Sequence, residues 1–243
     1  MSDDLQHIVK WHNGEKVFSP FSSAEMERRQ NDIRAWMAGN DVDAALFTSY
    51  HCINYYSGFL YCYFGRKYAF VVDHESATTV TAAIDGGQPW RRTHGDNITY
   101  TDWRKDSYFR AVQQLTKGAK RIGIEFDHVH SDFRAQFEEA LPGVEFVDIG
   151  QPSMWMRAIK SGEEHDLIRE GARICDIGGQ ACVDAIAAGV PEHEVALAST
   201  TAMVREIAGG FPYVELMDTW TWFQSGINTD GAHNPVTSKA IER

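Results

Sequence analysis

His233 is the side chain in this sequence best suited to moving a proton. It lies in the run Trp220-Thr-Trp-Phe-Gln-Ser-Gly-Ile-Asn-Thr-Asp-Gly-Ala-His-Asn-Pro-Val236. An imidazole titrates near neutrality, so one histidine can act as base and then as acid within a single turnover. The aromatic alternation of Thr219 to Phe223 predicts a strand, the glycines after it a turn, and Asn234-Pro235 an extended exit from regular pairing. Strand ends of this kind commonly hold reactive groups on a rigid support. The plain alternative is an ordinary loop histidine.

Other reactive types are less well arranged. His128-Val-His130 approximates a ligand pair but lacks the Glu-flanked i, i+4 helical spacing of a metal motif. His165 and His193 stand among glutamates at predicted helix starts and read as solvated. Four cysteines, Cys52, Cys62, Cys175 and Cys182, form neither a zinc pattern nor a disulfide framework. Cys175 and Cys182 are seven apart on a predicted helix, so their backbones are roughly 10 Å apart at 1.5 Å per residue, beyond disulfide reach. The four read as reduced core thiols. Asp85, Asp102 and Asp230 read first as turn caps, and Arg91 and Arg92 beside Trp90 as structural or interface residues.

The elements that must position these groups follow from periodicity. A serine at 22 or 23 caps a helix to about Gly39, with Met26, Ile33, Trp36 and Met37 on one face. Val42 to Ser49, Tyr68 to Val72 and Thr78 to Ile84 have strand composition, and Asp85-Gly86-Gly87 makes a turn. Helix Tyr108 to Leu115, strand Arg121 to Glu125, helix Asp132 to Leu141 and strand Val144 to Asp148 then alternate, which predicts an α/β domain with a mixed sheet. Gln151-Pro152 breaks that pattern, and a helical segment follows from Met154 to Ile159. Ser161-Gly-Glu-Glu164 is a capping box opening a long helix to near Gly189, with Leu167, Ile174, Cys175, Gly178, Ala181, Cys182 and Ala185 on one face. Its glycines and alanines allow a close neighbour. Pro191 suits the first turn of another helix, through Val195 and Met203 to Gly209-Gly210.

Composition narrows the function classes. The 243 residues are 43% hydrophobic and 12% aromatic, enough for real cores, and the net charge of −11 with scattered Lys and Arg argues against nucleic-acid binding. Met1-Ser-Asp-Asp4 lacks a basic leader, and no run of 18 apolar residues occurs, so a cytoplasmic protein is expected.

Several long strings carry a resemblance. Trp220 to Val236, with Thr48-Ser-Tyr-His-Cys-Ile-Asn-Tyr-Tyr-Ser57, Tyr61-Cys-Tyr-Phe-Gly-Arg66, Asp85-Gly-Gly-Gln-Pro-Trp-Arg-Arg92 and Tyr100-Thr-Asp-Trp103, resembles the creatinase family of creatine amidinohydrolases. That family belongs with methionine aminopeptidase and prolidase in the pita-bread superfamily but works without a metal. The resemblance implies an N-terminal domain over residues 1–152 and the first part of an α+β pita-bread catalytic domain over 153–243. It implies creatine as substrate, sarcosine and urea as products, and no cofactor. It further implies a homodimer whose site is shared across the interface, with no nucleic acid and no membrane as partner.

Residue by residue, the resemblance assigns the acid/base role to His233 and substrate contacts to Phe64 and Arg66, offered by one subunit to its partner. Arginine supplies a fork for a carboxylate and phenylalanine a wall against water. Read without the resemblance, Arg66 is a surface ion pair and Phe64 plain core. The family's guanidinium-binding carboxylates, its remaining substrate arginine and its further histidines fall after residue 243. Activity of residues 1–243 by themselves is therefore not expected. A metal-dependent X-Pro peptidase of the same fold, using the same histidine position, and a non-catalytic fragment or binding module are the rival readings.

Overall fold

The computed structural model describes residues 6–60, 65–214 and 217–242, and the chain divides into two compact units, Met1–Lys160 and Ser161–Arg243. The first unit is built on one mixed sheet. Its strands are β1 (Ile8–Val9), β2 (Ala44–Phe47), β3 (Ala69–Asp73), β4 (Ala77–Ala82), β5 (Asp96–Tyr100), β6 (Arg121–Ile124) and β7 (Glu145–Asp148), in the spatial order β1-β5-β4-β3-β2-β6-β7. β2 pairs antiparallel with β3, Phe47 opposite Phe70, and parallel with β6, Ala44 opposite Ile122. All four residues of β2 are buried, as an unbroken apolar run requires when both faces of a strand are covered.

Helices α1 (Ser23–Gly39), α2 (Tyr50–Ser57), α3 (Gln88–Arg92), α4 (Ser107–Leu115), α5 (Ser131–Ala140) and α6 (Gly150–Ala158) complete this unit. α1 forms as its sequence predicts. Ser22 accepts a hydrogen bond from the Glu25 amide, and Met26, Ile33 and Met37 are buried, while Trp36 is half-buried. The helix stops at Asn40, and the left-handed residue that turns the chain is Asp41 (φ 54°), not Gly39. Buried Arg29 ties α1 to α2, donating to Glu25 at 2.8 Å and to the Tyr55 carbonyl at 3.0 Å. The Arg28 hydrogen bond, helped by Arg29, holds the Glu25 carboxyl down at about 2.

Three elements depart from periodicity. β5 has few apolar residues, because its covered face is polar: Asn97 donates to the Thr79 hydroxyl (2.9 Å) and the Thr81 hydroxyl (3.1 Å), and Asn97 and Thr99 are fully buried. α2 is short and opens on Ser49, whose side chain accepts from the Cys52 amide. α6 begins before Pro152 instead of after it. Pro152 falls in the first helical turn, where its missing N–H costs no intrahelical bond, and the ladder starts with the Ser153 amide on the Ile149 carbonyl at 3.0 Å.

In the second unit, α7 (Gly162–Ala185) and α8 (Glu192–Gly210) pack together. The capping box of Ser161 and Glu164 is formed. Gly178 is buried, and a Cβ built on it would lie 2.7 Å from Met203 Cγ and 3.0 Å from Ser199 Oγ of α8, so this glycine sets how closely the helices approach. Two expectations fail here. Cys175 is exposed and Cys182 half-buried, because the covered stripe turns through Ile174 and Gly178 and leaves Cys175 one residue outside it. The core-thiol reading holds for Cys52 alone among the three described cysteines.

Thr219 to Phe223 is the second failure: it forms no strand. The run is extended, with exposure alternating strictly from Met217 to Phe223, but a strand also needs a neighbouring backbone. Among the described residues of this unit the only β-bridge pairs Pro191 with Ala240. The alternation therefore sorts side chains without building a ladder. Thr221 donates to Ser199 on α8 at 2.9 Å and Thr219 contacts Met203 Sδ at 3.4 Å, while Trp220 (74% exposed) and Trp222 (49%) point away from the helix.

Candidate active site

His233 is exposed, in a turn closed by the Asn234 amide on the Gly231 carbonyl at 3.3 Å. Its ring stands edge-on to Trp222, centroids 6.1 Å apart at 84°. The turn is held by its neighbour. Asn234 donates its side-chain amide to the Asn228 carbonyl (3.0 Å) and to Asp230 (2.5 Å), and the Gln224 side chain donates to the Asn234 carbonyl. Asp230 thus caps the turn as expected. Ahead of it, a 3-10 turn over Gly226–Asp230 opens on Gly226 at φ 52°, in the region that favours glycine.

Beneath this loop lies a carboxylate that sequence reasoning passed over. Glu192, the first residue of α8, is fully buried. Its Oε1 accepts from the Ser225 amide (2.7 Å) and hydroxyl (2.9 Å). Its Oε2 accepts from the Asn228 side chain (2.8 Å), the Thr237 hydroxyl (2.7 Å) and, at 3.3 Å, the Thr237 amide. Hydrogen bonds from Thr237 first, then Asn228 and Ser225, outweigh the cost of burial and pull its carboxyl down to about 2. An acidic residue behind Pro191 is an ordinary helix-start signal. Nothing local announces partners 33 to 45 positions away. His193 is half-buried and not simply solvated, its amide donating to the Thr237 carbonyl at 3.1 Å.

In the first unit Arg66 is exposed and pairs with Asp102, Nη2 to Oδ2, at 3.0 Å. Asp102 is therefore an ion-pair partner and not a turn cap. The segment after Arg66 is tied down by Tyr68, whose hydroxyl donates to Asp85 at 2.6 Å and whose carbonyl accepts from the Tyr108 hydroxyl at 3.3 Å. Phe64 lies outside the described residues. Arg91 is tied to the N-terminal segment, its carbonyl accepting from the Val17 amide at 2.7 Å and its guanidinium donating to the Asn13 carbonyl at 3.5 Å.

Among the described residues one group of three metal-capable side chains comes together, His51, Cys52 and Glu125, with ligand atoms within 4.8 Å of one another. Their other bonds give a different reading. Buried Glu125 accepts from the Thr48 amide (2.7 Å), the Ser49 amide (2.9 Å) and the Ser49 hydroxyl (2.5 Å), so it anchors the start of α2. Burial pushes the Cys52 thiol up to about 12, which keeps it protonated. His128 and His130 do not form a ligand pair either: His130 Nδ1 accepts from the Phe133 amide at 3.2 Å and caps α5.

A mixed-sheet α/β unit followed by a helix pair carrying an imidazole-bearing turn is the arrangement found in proteins of the pita-bread fold. Solved structures agree on the fold. The prolidase from Pyrococcus horikoshii OT3 is similar over 89% of this chain and 58% of its own, with a TM-score of 0.70 at 22% identity. The X-Pro aminopeptidase from Thermotoga maritima MSB8 is similar over 88% and 58%, with a TM-score of 0.69 at 18% identity. Residues 29–159 match the Creatinase/Prolidase N-terminal domain, and the chain belongs to that family. It is 55% identical to a creatinase of Bacillus sp. (strain B-0618) over 99% of this chain, and 28% identical to an uncharacterized hydrolase/peptidase of Sinorhizobium fredii over 79%. The chain spans 60% of the length of the first and 53% of the second.

Proposed function

We propose that this chain carries the proton-handling residue and a substrate contact of a creatine amidinohydrolase. The observation that carries the reading is the 55% identity to the Bacillus creatinase across 99% of the chain. Creatine presents a planar guanidinium at one end and a carboxylate at the other. His233 accepts a proton from water as the water oxygen bonds to the guanidinium carbon. The bond from that carbon to the sarcosine nitrogen then breaks, and the same imidazole returns the proton to the departing nitrogen. The fragment left on carbon is protonated urea; it loses its hydroxyl proton, sarcosine takes up a second proton as its ammonium form, and no metal is required. An exposed imidazole on a braced turn suits a group that must meet both water and substrate.

In this reading Arg66 receives the creatine carboxylate and Phe64 shields it, acting toward a partner subunit in a cytoplasmic homodimer. Residues 1–152 form the domain that offers them, and residues 153–243 begin the catalytic domain. The first test is His233→Ala in the protein expressed in its source cell. Turnover of creatine should fall by at least 10²-fold, the usual contribution of a general acid-base group, while creatine binding measured by calorimetry stays close to wild type. A variant keeping more than about a tenth of wild-type kcat would remove His233 from this role.

A further inference from the structure

We propose that Glu192 is the positioning residue for His233, a buried clamp on which the catalytic turn is built. The bonds come from both sides of that turn: Ser225 and Asn228 before it, Thr237 after it. Five donors, the Thr237 amide at 3.3 Å being the longest contact, fill the roughly four lone-pair sites of one carboxylate, so the group is spent entirely on the loop. The backbone beside it reinforces the clamp, for the Glu192 amide donates to the Lys239 carbonyl (3.0 Å) and the Ile241 amide to the Val190 carbonyl (2.9 Å). Lys239 donates to the Ser225 hydroxyl at 3.2 Å, which balances the buried negative charge through one intervening group. Both ends of segment 225–237 are thereby referred to the first turn of α8, and His233 hangs between them.

The alternative is a carboxylate that only stabilises the second unit. The two differ in what moves when the clamp is loosened. Glu192→Gln keeps the shape but turns one acceptor into a donor, setting an NH2 against N–H groups of the loop and leaving donors unpaired.

This inference rests on the reading of His233 as proton carrier, and the test keeps the two apart. Wild type, Glu192→Gln, Thr237→Val and His233→Ala are expressed in the source cell and compared for creatine turnover, His233 ring signals by NMR, and amide exchange. Positioning expects Glu192→Gln to lower kcat by about 10-fold to 10²-fold, the scale of a misplaced catalytic group, with KM for creatine changed less than about twofold. The His233 ring signals should shift and the Ser225 and Thr237 amides exchange faster, while protection around Ile174 in α7 holds. Unchanged kcat, or a lower kcat with unmoved His233 signals, overturns the proposal. If Glu192→Gln also loses the α7 protection, Thr237→Val decides: it deletes one donor and leaves the carboxylate, and wild-type kcat in that variant overturns the proposal. A His233→Ala protein that still turns over creatine sinks the functional reading alone, because the ring signals in Glu192→Gln still report whether Glu192 places His233.

Discussion

Arg66 sits at the surface in an exposed pair with Asp102, and the proposed function gives it a second carboxylate to bind. Its pair with Asp102 leaves both side chains 44% exposed, and exposed pairs of this kind are worth only about 0–1 kcal/mol. A substrate carboxylate gripped by the same guanidinium away from water gains more, because charge-assisted bidentate bonds strengthen as water is excluded. Under the proposed function, exchange of one carboxylate for the other is downhill. Arg66→Ala should lose about 1.5–3 kcal/mol of creatine binding, read as a KM raised about 10-fold to 150-fold with a smaller effect on kcat. An unchanged KM would leave the Asp102 pair as the whole role of Arg66. Residues of this sort were legible by type and by resemblance. Their partners were not: Asp102 and Glu192 act across 33 residues or more of sequence, and only folding brings them to the groups they serve.

Among the elements, legibility followed the driving force. α1, α4, α5 and the strands β2, β3, β4, β6 and β7 bury apolar faces, and hydrophobic periodicity located them to within a few residues. β5 was missed because hydrogen-bonded Asn and Thr cover its face, and α2 because its start depends on Glu125 from the end of β6. The strand expected at Thr219 to Phe223 failed for the converse reason, since local alternation cannot supply a pairing partner. Two predictions belong here. Gly178→Ala would force a methyl against Met203 Cγ and should cost about 1–3 kcal/mol by overpacking, seen as a Tm lower by about 2–12 °C. An unchanged Tm would mean that α7 and α8 have slack at that point.

Glu192 gives the second element its pH dependence. Its carboxyl is lowered in the fold from the ordinary 4.5 to about 2, so the native state prefers the charged form. The stability it contributes is complete above about 4.5 and is lost as pH falls toward about 2. Amide protection of Ser225 and Thr237, corrected for intrinsic exchange, should hold at neutrality and decline through that window. Glu192→Gln should remove the decline. Protection that ignores acid in the wild type would contradict the buried-carboxylate account.

At the scale of the whole molecule, each unit carries one of the residues on which the proposed function rests. The first supplies a rigid mixed sheet with Arg66 tethered to it, and the second supplies a helix pair with His233 braced on α8. Among the described residues no helix is long and apolar enough to cross a membrane. The proposed function is hydrolysis of creatine without a metal, and its rival is metal-dependent cleavage of X-Pro peptides on the same fold. Chemistry is therefore the most direct test. Protein isolated from its source cell, treated with excess EDTA and checked by elemental analysis, is given creatine, and urea and sarcosine are quantified. The account predicts equal amounts of both products at an undiminished rate, with no stoichiometric metal. Loss of activity in EDTA that manganese or cobalt restores, together with cleavage of an X-Pro dipeptide and no urea from creatine, would contradict it.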